Sequence, residues 1–202
     1  ITAPSSFGRM HIVPALKEFL SQYPDLTVDL RLTDTIVDMV EGGFDIAIRN
    51  TQLEDSTLVA RKLATDERIV CASPDYLAEN GTPTSPAELR DHQCITLTGL
   101  ESWVFEAPEG QVSIKACGRF RTDHGEAVRD ASVSGLGIIV SSRWSIYEHL
   151  KRGELNPLLN DFPMVSDTAI WAVYPSSRLL APKVGAFINY FAAYYGNPPY
   201  WD

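Results

Sequence analysis

The chain has 202 residues, 45% of them hydrophobic and 21% charged, with a formal net charge of −9. That is room for one large domain or two small ones with a real core. The acidic balance argues against nucleic-acid binding by this segment, because phosphate contacts need clustered Lys and Arg. No apolar run is long enough to span a bilayer, and no charged n-region precedes an apolar h-region. With Ile rather than Met as the first residue, a fragment is the expectation, and a missing upstream segment could hold a signal or another domain.

Helical spacing comes first. Val13, Leu16, Leu20 and Tyr23, with Ile12 and Phe19 beside them, predict an amphipathic helix over 10–23 that Pro24 ends. Val28, Leu30 and Leu32 alternate with Asp29 and Arg31, which predicts a strand over 27–33. A short helix over 34–41 is stopped by Gly42-Gly43. Phe44, Ile46 and Ile48 then alternate in a strand over 44–49 that ends on Arg49. This opening third reads β-α-β-α-β, the pattern of a parallel sheet with crossover helices.

Further strands are predicted at 68–73, 94–98, 138–140 and 169–174, with three short candidates within 102–122. A helical turn is expected at 75–79. Asp123 with Glu126 reads as an Asp-type capping box opening a helix that Gly135-Leu-Gly137 stops. Another helix is expected over 144–150. Val184, Phe187, Ile188, Phe191 and Tyr195 mark a last amphipathic one. The tail from Asn197 to Asp202 reads as irregular. Two βα blocks, 1–63 and 118–174, are separated by strand-rich material, which fits two lobes joined by short crossing strands. Lobed α/β proteins bind ligands between lobes.

The chemistry points to binding rather than catalysis. Arg49 reaches the carboxyl end of its strand, where open α/β sheets hold ligands. Pro4-Ser-Ser-Phe-Gly8 precedes a helix, and helix starts favour anions. A fixed cation facing a hydroxyl-rich helix start is a receptor for a small anion, a sensor more than a catalyst. Ser134-Gly135 lacks the preceding Gly of a nucleophile elbow, and Gly135-x-Gly137 lacks the third Gly of a dinucleotide fingerprint. No P-loop or HExxH occurs. Cys71, Cys94 and Cys117 are odd in number and widely spaced, so they read as small buried residues of a reducing cytoplasm. The four His are scattered, and no metal or cofactor is expected.

Four stretches, in order, resemble the effector-binding domain of LysR-type transcriptional regulators. They are Pro4-Ser-Ser-Phe-Gly8 with Ile12-Val-Pro14; Phe44-Asp-Ile-Ala-Ile-Arg49; Ala72-Ser-Pro-Asp-Tyr-Leu77 with Gly81-Thr-Pro83, Leu89 and His92-Gln-Cys-Ile95; and Gly125-Glu-Ala-Val-Arg129 running to Gly135-Leu-Gly-Ile-Ile139. The resemblance implies an α/β, two-lobe periplasmic-binding-protein-like (type II) fold. Two mixed sheets flanked by helices would be joined by two crossing strands, with 1–64 plus 175–202 as lobe I and 65–174 as lobe II. It implies a cytoplasmic, non-enzymatic sensor that works as a homodimer or tetramer. The 10–23 helix and 27–33 strand of one copy would face the second lobe of its partner. DNA would be bound only through a winged helix-turn-helix absent from this chain.

The effector contacts implied are Ser5, Ser6, Phe7, Thr33, Arg49, Thr98, Gly99, Thr122, Asp123 and Tyr174. Plainer roles compete at several of them. Ser5, Ser6 and Thr33 are good helix caps, Arg49 has Asp34 and Asp45 as partners within reach of the same rim, and Asp123 reads more as a cap than a contact. The effector expected is a small organic acid. The rival reading is the solute-binding protein of a transporter, which shares the fold but requires export.

Overall fold

The computed structural model describes every residue except 36–38, 40–41, 52–57 and 176–180. The chain divides into two compact units, Ile1–Asp66 with Asp167–Asp202, and Glu67–Ser166. Ala169–Pro175, placed by the sequence reading in the second lobe, pairs antiparallel with both Ala47–Thr51 and Leu58–Thr65 and so belongs to the first unit's sheet.

That sheet has five strands in the order Arg31–Leu32, Thr2–Ala3, Ala47–Thr51, Ala169–Pro175, Leu58–Thr65. The first three run parallel. Leu58–Thr65 was not expected. It is an edge strand in which only Leu63 and Ala64 are buried, so it shows no apolar alternation. The 27–33 strand is observed as Arg31–Leu32, paired with Thr2–Ala3, and Pro4, which has no N–H to offer the ladder, stands level with Thr33 at its carboxyl end. The 44–49 strand is observed as Ala47–Thr51, with Ile46 and Ile48 buried as expected. The predicted 34–41 helix lies mostly outside the described residues. Gly43 does take the left-handed conformation expected there, at φ +67°.

The 10–23 helix forms as part of a longer helical stretch whose hydrogen bonding changes along its length. Ser5–Phe7 is α, Gly8–Ile12 is π, Val13–Ala15 is 3₁₀ and Leu16–Gln22 is α. Pro14 has no N–H for an α-type bond, which accounts for the break in pattern. The buried stripe is Phe7, Ile12, Ala15 and Phe19, and Val13 is 48% exposed instead of facing the core. That stripe meets the Pro182–Tyr195 helix through Phe187 and Phe191, each within 6 Å of Phe19. The tail turns back over it. Tyr200 N–H donates to the Tyr195 carbonyl, and Trp201 is 2% exposed, packed on Tyr195, His11 and Phe7. The segment expected to be irregular is thus a plug in the first unit's core.

In the second unit Arg68–Ala72 lies between Ile139–Ser142 and Asn156–Leu158, antiparallel to both. Thr96–Leu97 and Arg121–Thr122 pair in parallel, and an isolated parallel bridge joins Cys94 to Ile138. Ser102–Ala107 and Gly110–Lys115 form a hairpin. Helices Pro74–Asn80, Gly125–Val133 and Arg143–Lys151 cover these strands. Ser73 caps the first through the Tyr76 N–H. The Asp123 capping box is not formed. Helix Gly125–Val133 has His124 at its N-cap with no side-chain cap, because the Thr122 hydroxyl meets the His124 N–H and leaves Asp123 exposed. Its end is as expected, with Gly135 at φ +83° and Leu136 N–H returning to Ala131.

Two glycines set the spacing of these strands. A Cβ at Gly118 would lie 2.2 Å from the Cys94 carbonyl oxygen, and one at Gly137 2.3 Å from that of Gln93. Both obstacles are backbone. Gly118→Ala is therefore expected to cost about 1–3 kcal/mol by overpacking, read as a lower urea midpoint. An unchanged midpoint would refute the close approach.

Cys71 and Cys94 are buried, but Cys117 is exposed. Burial pushes the Cys71 thiol up strongly and raises Cys94 to about 11. One thiol of three is therefore expected to react with a disulfide reagent in the native state at neutral pH, and all three after denaturation. Rapid native reaction of two thiols would contradict the packing of Cys94.

Candidate functional site

In the first unit the register brings the carboxyl ends of three parallel strands together. Thr2 stands opposite Arg31 on one side and Ala47 on the other. Two residues further on, Thr33, Pro4 and Arg49 are therefore level. Leu58–Thr65 points the same way, so the chain leaves this unit from the same end.

Ser5 and Thr33 meet there through Asp34. Ser5 N–H donates to Asp34 Oδ1 at 2.9 Å. The donor that the sequence reading reserved for an effector acid thus already holds a carboxylate of the chain. Thr33 N–H donates to the Ala3 carbonyl, and its hydroxyl accepts from Thr35 N–H at 3.3 Å, closing the turn after the strand. Ser6 is buried just below this rim. Phe7 is 0% exposed in the aromatic core against His11, Tyr195 and Trp201, so it is withdrawn as a contact.

Arg49 is half-buried. Its one side-chain hydrogen bond among the described residues goes from Nη1 to the Ile48 carbonyl at 3.1 Å. No carboxylate among the described residues pairs with it. Asp45 takes Lys183 Nζ at 2.6 Å and Asp34 takes Ser5 N–H, so the rim acids considered from sequence are engaged elsewhere. Burial lowers the Arg49 pKa from its ordinary value, with no opposing partner.

Tyr174 is not part of this group. Its strand runs antiparallel, so Ala169 stands opposite Thr51 at the carboxyl end, and Tyr174 lies beyond the Val173–Ala47 pair at the far end. The residue of that strand opposite Arg49 is Trp171. Sequence reading took Trp171 as core or cleft wall without singling it out, because strand direction decides which end of 169–174 lies beside Arg49, and alternation carries no direction.

In the second unit Thr98, Gly99, Thr122 and Asp123 do come together. They follow the parallel pair Thr96–Leu97 and Arg121–Thr122, and Thr98 N–H donates to the Thr122 carbonyl at 2.8 Å. Gly99 turns the chain at φ +85°, donating to Glu101 Oε1 at 3.1 Å. That N–H is the main reason the Glu101 carboxyl lies below the usual range. Thr98, Gly99 and Asp123 are exposed beside the start of helix Gly125–Val133. Arg68 pairs with Ser142, so the chain enters this unit at the same end.

Each unit therefore offers hydroxyls and backbone donors at the ends of parallel strands, on the side where the chain crosses. The first adds a half-buried guanidinium. Hydroxyls, backbone N–H groups and a guanidinium are hydrogen-bonding groups, and no nucleophile stands beside a base among them.

Two α/β units of this kind, linked by two crossings, define a ligand-binding protein of the type II periplasmic-binding-protein-like class. The chain belongs to the family described as the LysR substrate binding domain, whose model matches residues 1–196. It is similar to the HTH-type transcriptional regulator DmlR of Escherichia coli K12, 33% identical over 98% of this chain and 66% of that protein. The HTH-type transcriptional regulator CrgA of Neisseria meningitidis is 31% identical over 92% of the chain and 63% of its own length. The solved CrgA regulatory domain superposes with a TM-score of 0.84 at 30% identity, covering 95% of both chains. The AphB regulatory domain of Vibrio vulnificus gives 0.78 at 30%, covering 96% of both. The chain spans about two thirds of the length of the curated relatives it matches. No helix among the described residues is long and apolar enough to cross a membrane.

Proposed function

We propose that this chain is the effector-binding part of a cytoplasmic transcriptional regulator. The observation that carries this reading is Arg49, half-buried with no carboxylate partner among the described residues, level with Thr33 and Pro4 in a chain of the LysR family. A small organic acid is the matching ligand, with its acid on the guanidinium. Ser5, Ser6 and Thr33 supply polar contacts from one unit. Thr98, Gly99, Thr122 and Asp123 supply them from the other. Asp34 and Asp123 bring negative charge, which favours effectors that also carry hydroxyl or amine donors.

The mechanism is a population shift. A ligand that prefers one arrangement of the two units biases the whole assembly toward it. Driving such an equilibrium from 1:99 to 99:1 takes about 5.5 kcal/mol of differential affinity. In the complete protein the signal passes through a homodimer or tetramer to DNA, which is bound by a segment outside this chain. The transporter reading is not favoured, because the relatives named above are transcriptional regulators.

Thermal melting against aliphatic and aromatic acids, with neutral analogues as controls, tests the assignment. A ligand at about 100 times its Kd adds roughly 2.7 kcal/mol, which raises Tm by roughly 5–10 °C in a chain of this size. A shift with acids and none with their amides is expected. Equal shifts with both would remove Arg49 from its role.

A further inference from the structure

Trp171 has Arg49 directly opposite on one neighbouring strand and Lys62 directly opposite on the other. Opposed residues of antiparallel ladders project on the same face, so a guanidinium, an indole and an ammonium form one row across three strands. Neighbouring strands lie about 4.8 Å apart, which sets the two cations on either side of the ring. A register irregularity creates the row. Ile170 faces Ala64 but Trp171 faces Lys62, so Leu63 is passed over. Without that bulge Leu63 would face Trp171 and Lys62 would lie one place along. Bulges of this kind re-aim side chains beside binding sites.

The row is rich in unused donors. The Trp171 indole N–H is buried with no hydrogen-bond partner among the described residues, a costly state for a polar group. Arg49 makes only its bond to the Ile48 carbonyl, and Lys62, which is exposed, makes no ion pair among the described residues. In a chain of net charge −9, two cations flanking an indole without a carboxylate call for an anion from outside. Trp171 itself is held in place, since it packs against the cluster of Met39, Ala47 and Val173 on the same face.

We propose that Arg49, Trp171 and Lys62 form a receptor for a small organic dianion, with one acid on the guanidinium, the other on the ammonium, and the indole ring as the wall between them. The inference rests on the effector-binding reading and narrows it, because a monoacid leaves Lys62 without a role.

The test is calorimetric titration of the intact chain with straight-chain dicarboxylates from malonate to adipate. Sodium acetate at matched ionic strength is the monoanion control, and tryptophan fluorescence is followed in parallel. At least one dicarboxylate is expected to bind saturably, with acetate about tenfold weaker or silent. Lys62→Ala, an exposed change, is expected to weaken that dicarboxylate about tenfold while leaving the unliganded Tm unchanged. Lys62→Arg restores binding. Trp171→Phe removes the fluorescence response. The dianion receptor is overturned if no dicarboxylate binds, or if Lys62→Ala binds like the parent. It also falls if acetate binds equally well and only Arg49→Ala abolishes the effect. That last outcome leaves the acid-sensing function standing and removes this row alone.

Discussion

Replacing Trp201 with alanine is expected to destabilise the chain by about 3–5 kcal/mol, lowering Tm by roughly 6–20 °C. The side chain is 2% exposed, with ring centroids 4.9 Å from His11 and 5.3 Å from Tyr195. Truncation leaves a cavity that Phe7, also fully buried, cannot fill without moving the helical stretch behind Ser5 and Ser6. The effect therefore passes from core packing to the site's rim. Urea unfolding measures it directly, and a loss below about 1 kcal/mol would show that the tail does not plug this core.

Arg49→Ala has the second large effect, and it separates binding from stability. The charge is half-buried and without a carboxylate among the described residues. Removing it relieves desolvation and breaks only the bond to the Ile48 carbonyl. The unliganded protein is thus expected to lose no stability. Binding of an effector acid loses a charge-assisted contact of about 1.5–3 kcal/mol, a weakening of roughly tenfold to a hundredfold. Calorimetric titration with the acid that gives the largest melting shift checks this. A variant that unfolds more easily yet binds normally would make Arg49 a structural residue.

Much of the fold was legible from apolar spacing and turn residues, although Ala47, between Ile46 and Ile48, is buried as fully as they are. Ile46 and Ile48 face a core as their spacing says, and Gly135 ends its helix in the left-handed conformation its position requires. What was hidden depends on facts that no local window holds. Leu58–Thr65 is an edge strand with little apolar pattern. The buried side of the first helix is decided by Pro14 and by the aromatic residues of Pro182–Tyr195. Trp201 belongs to the core only because the tail doubles back. At the site, Ser5, Thr33 and Arg49 were recognisable as polar residues at strand and helix ends. That Asp34 takes the Ser5 N–H, and that Trp171 rather than Tyr174 stands beside Arg49, follows from register and strand direction, which pairing fixes.

The central claim is that an acid bound at these strand ends changes the arrangement of the two units. Small-angle X-ray scattering of the chain, with and without a saturating concentration of the acid that raises Tm most, tests it directly. The account predicts a change in radius of gyration and pair-distance distribution that saturates with binding and is lost at the same acid concentration in Arg49→Ala. Identical scattering curves at full occupancy would contradict it.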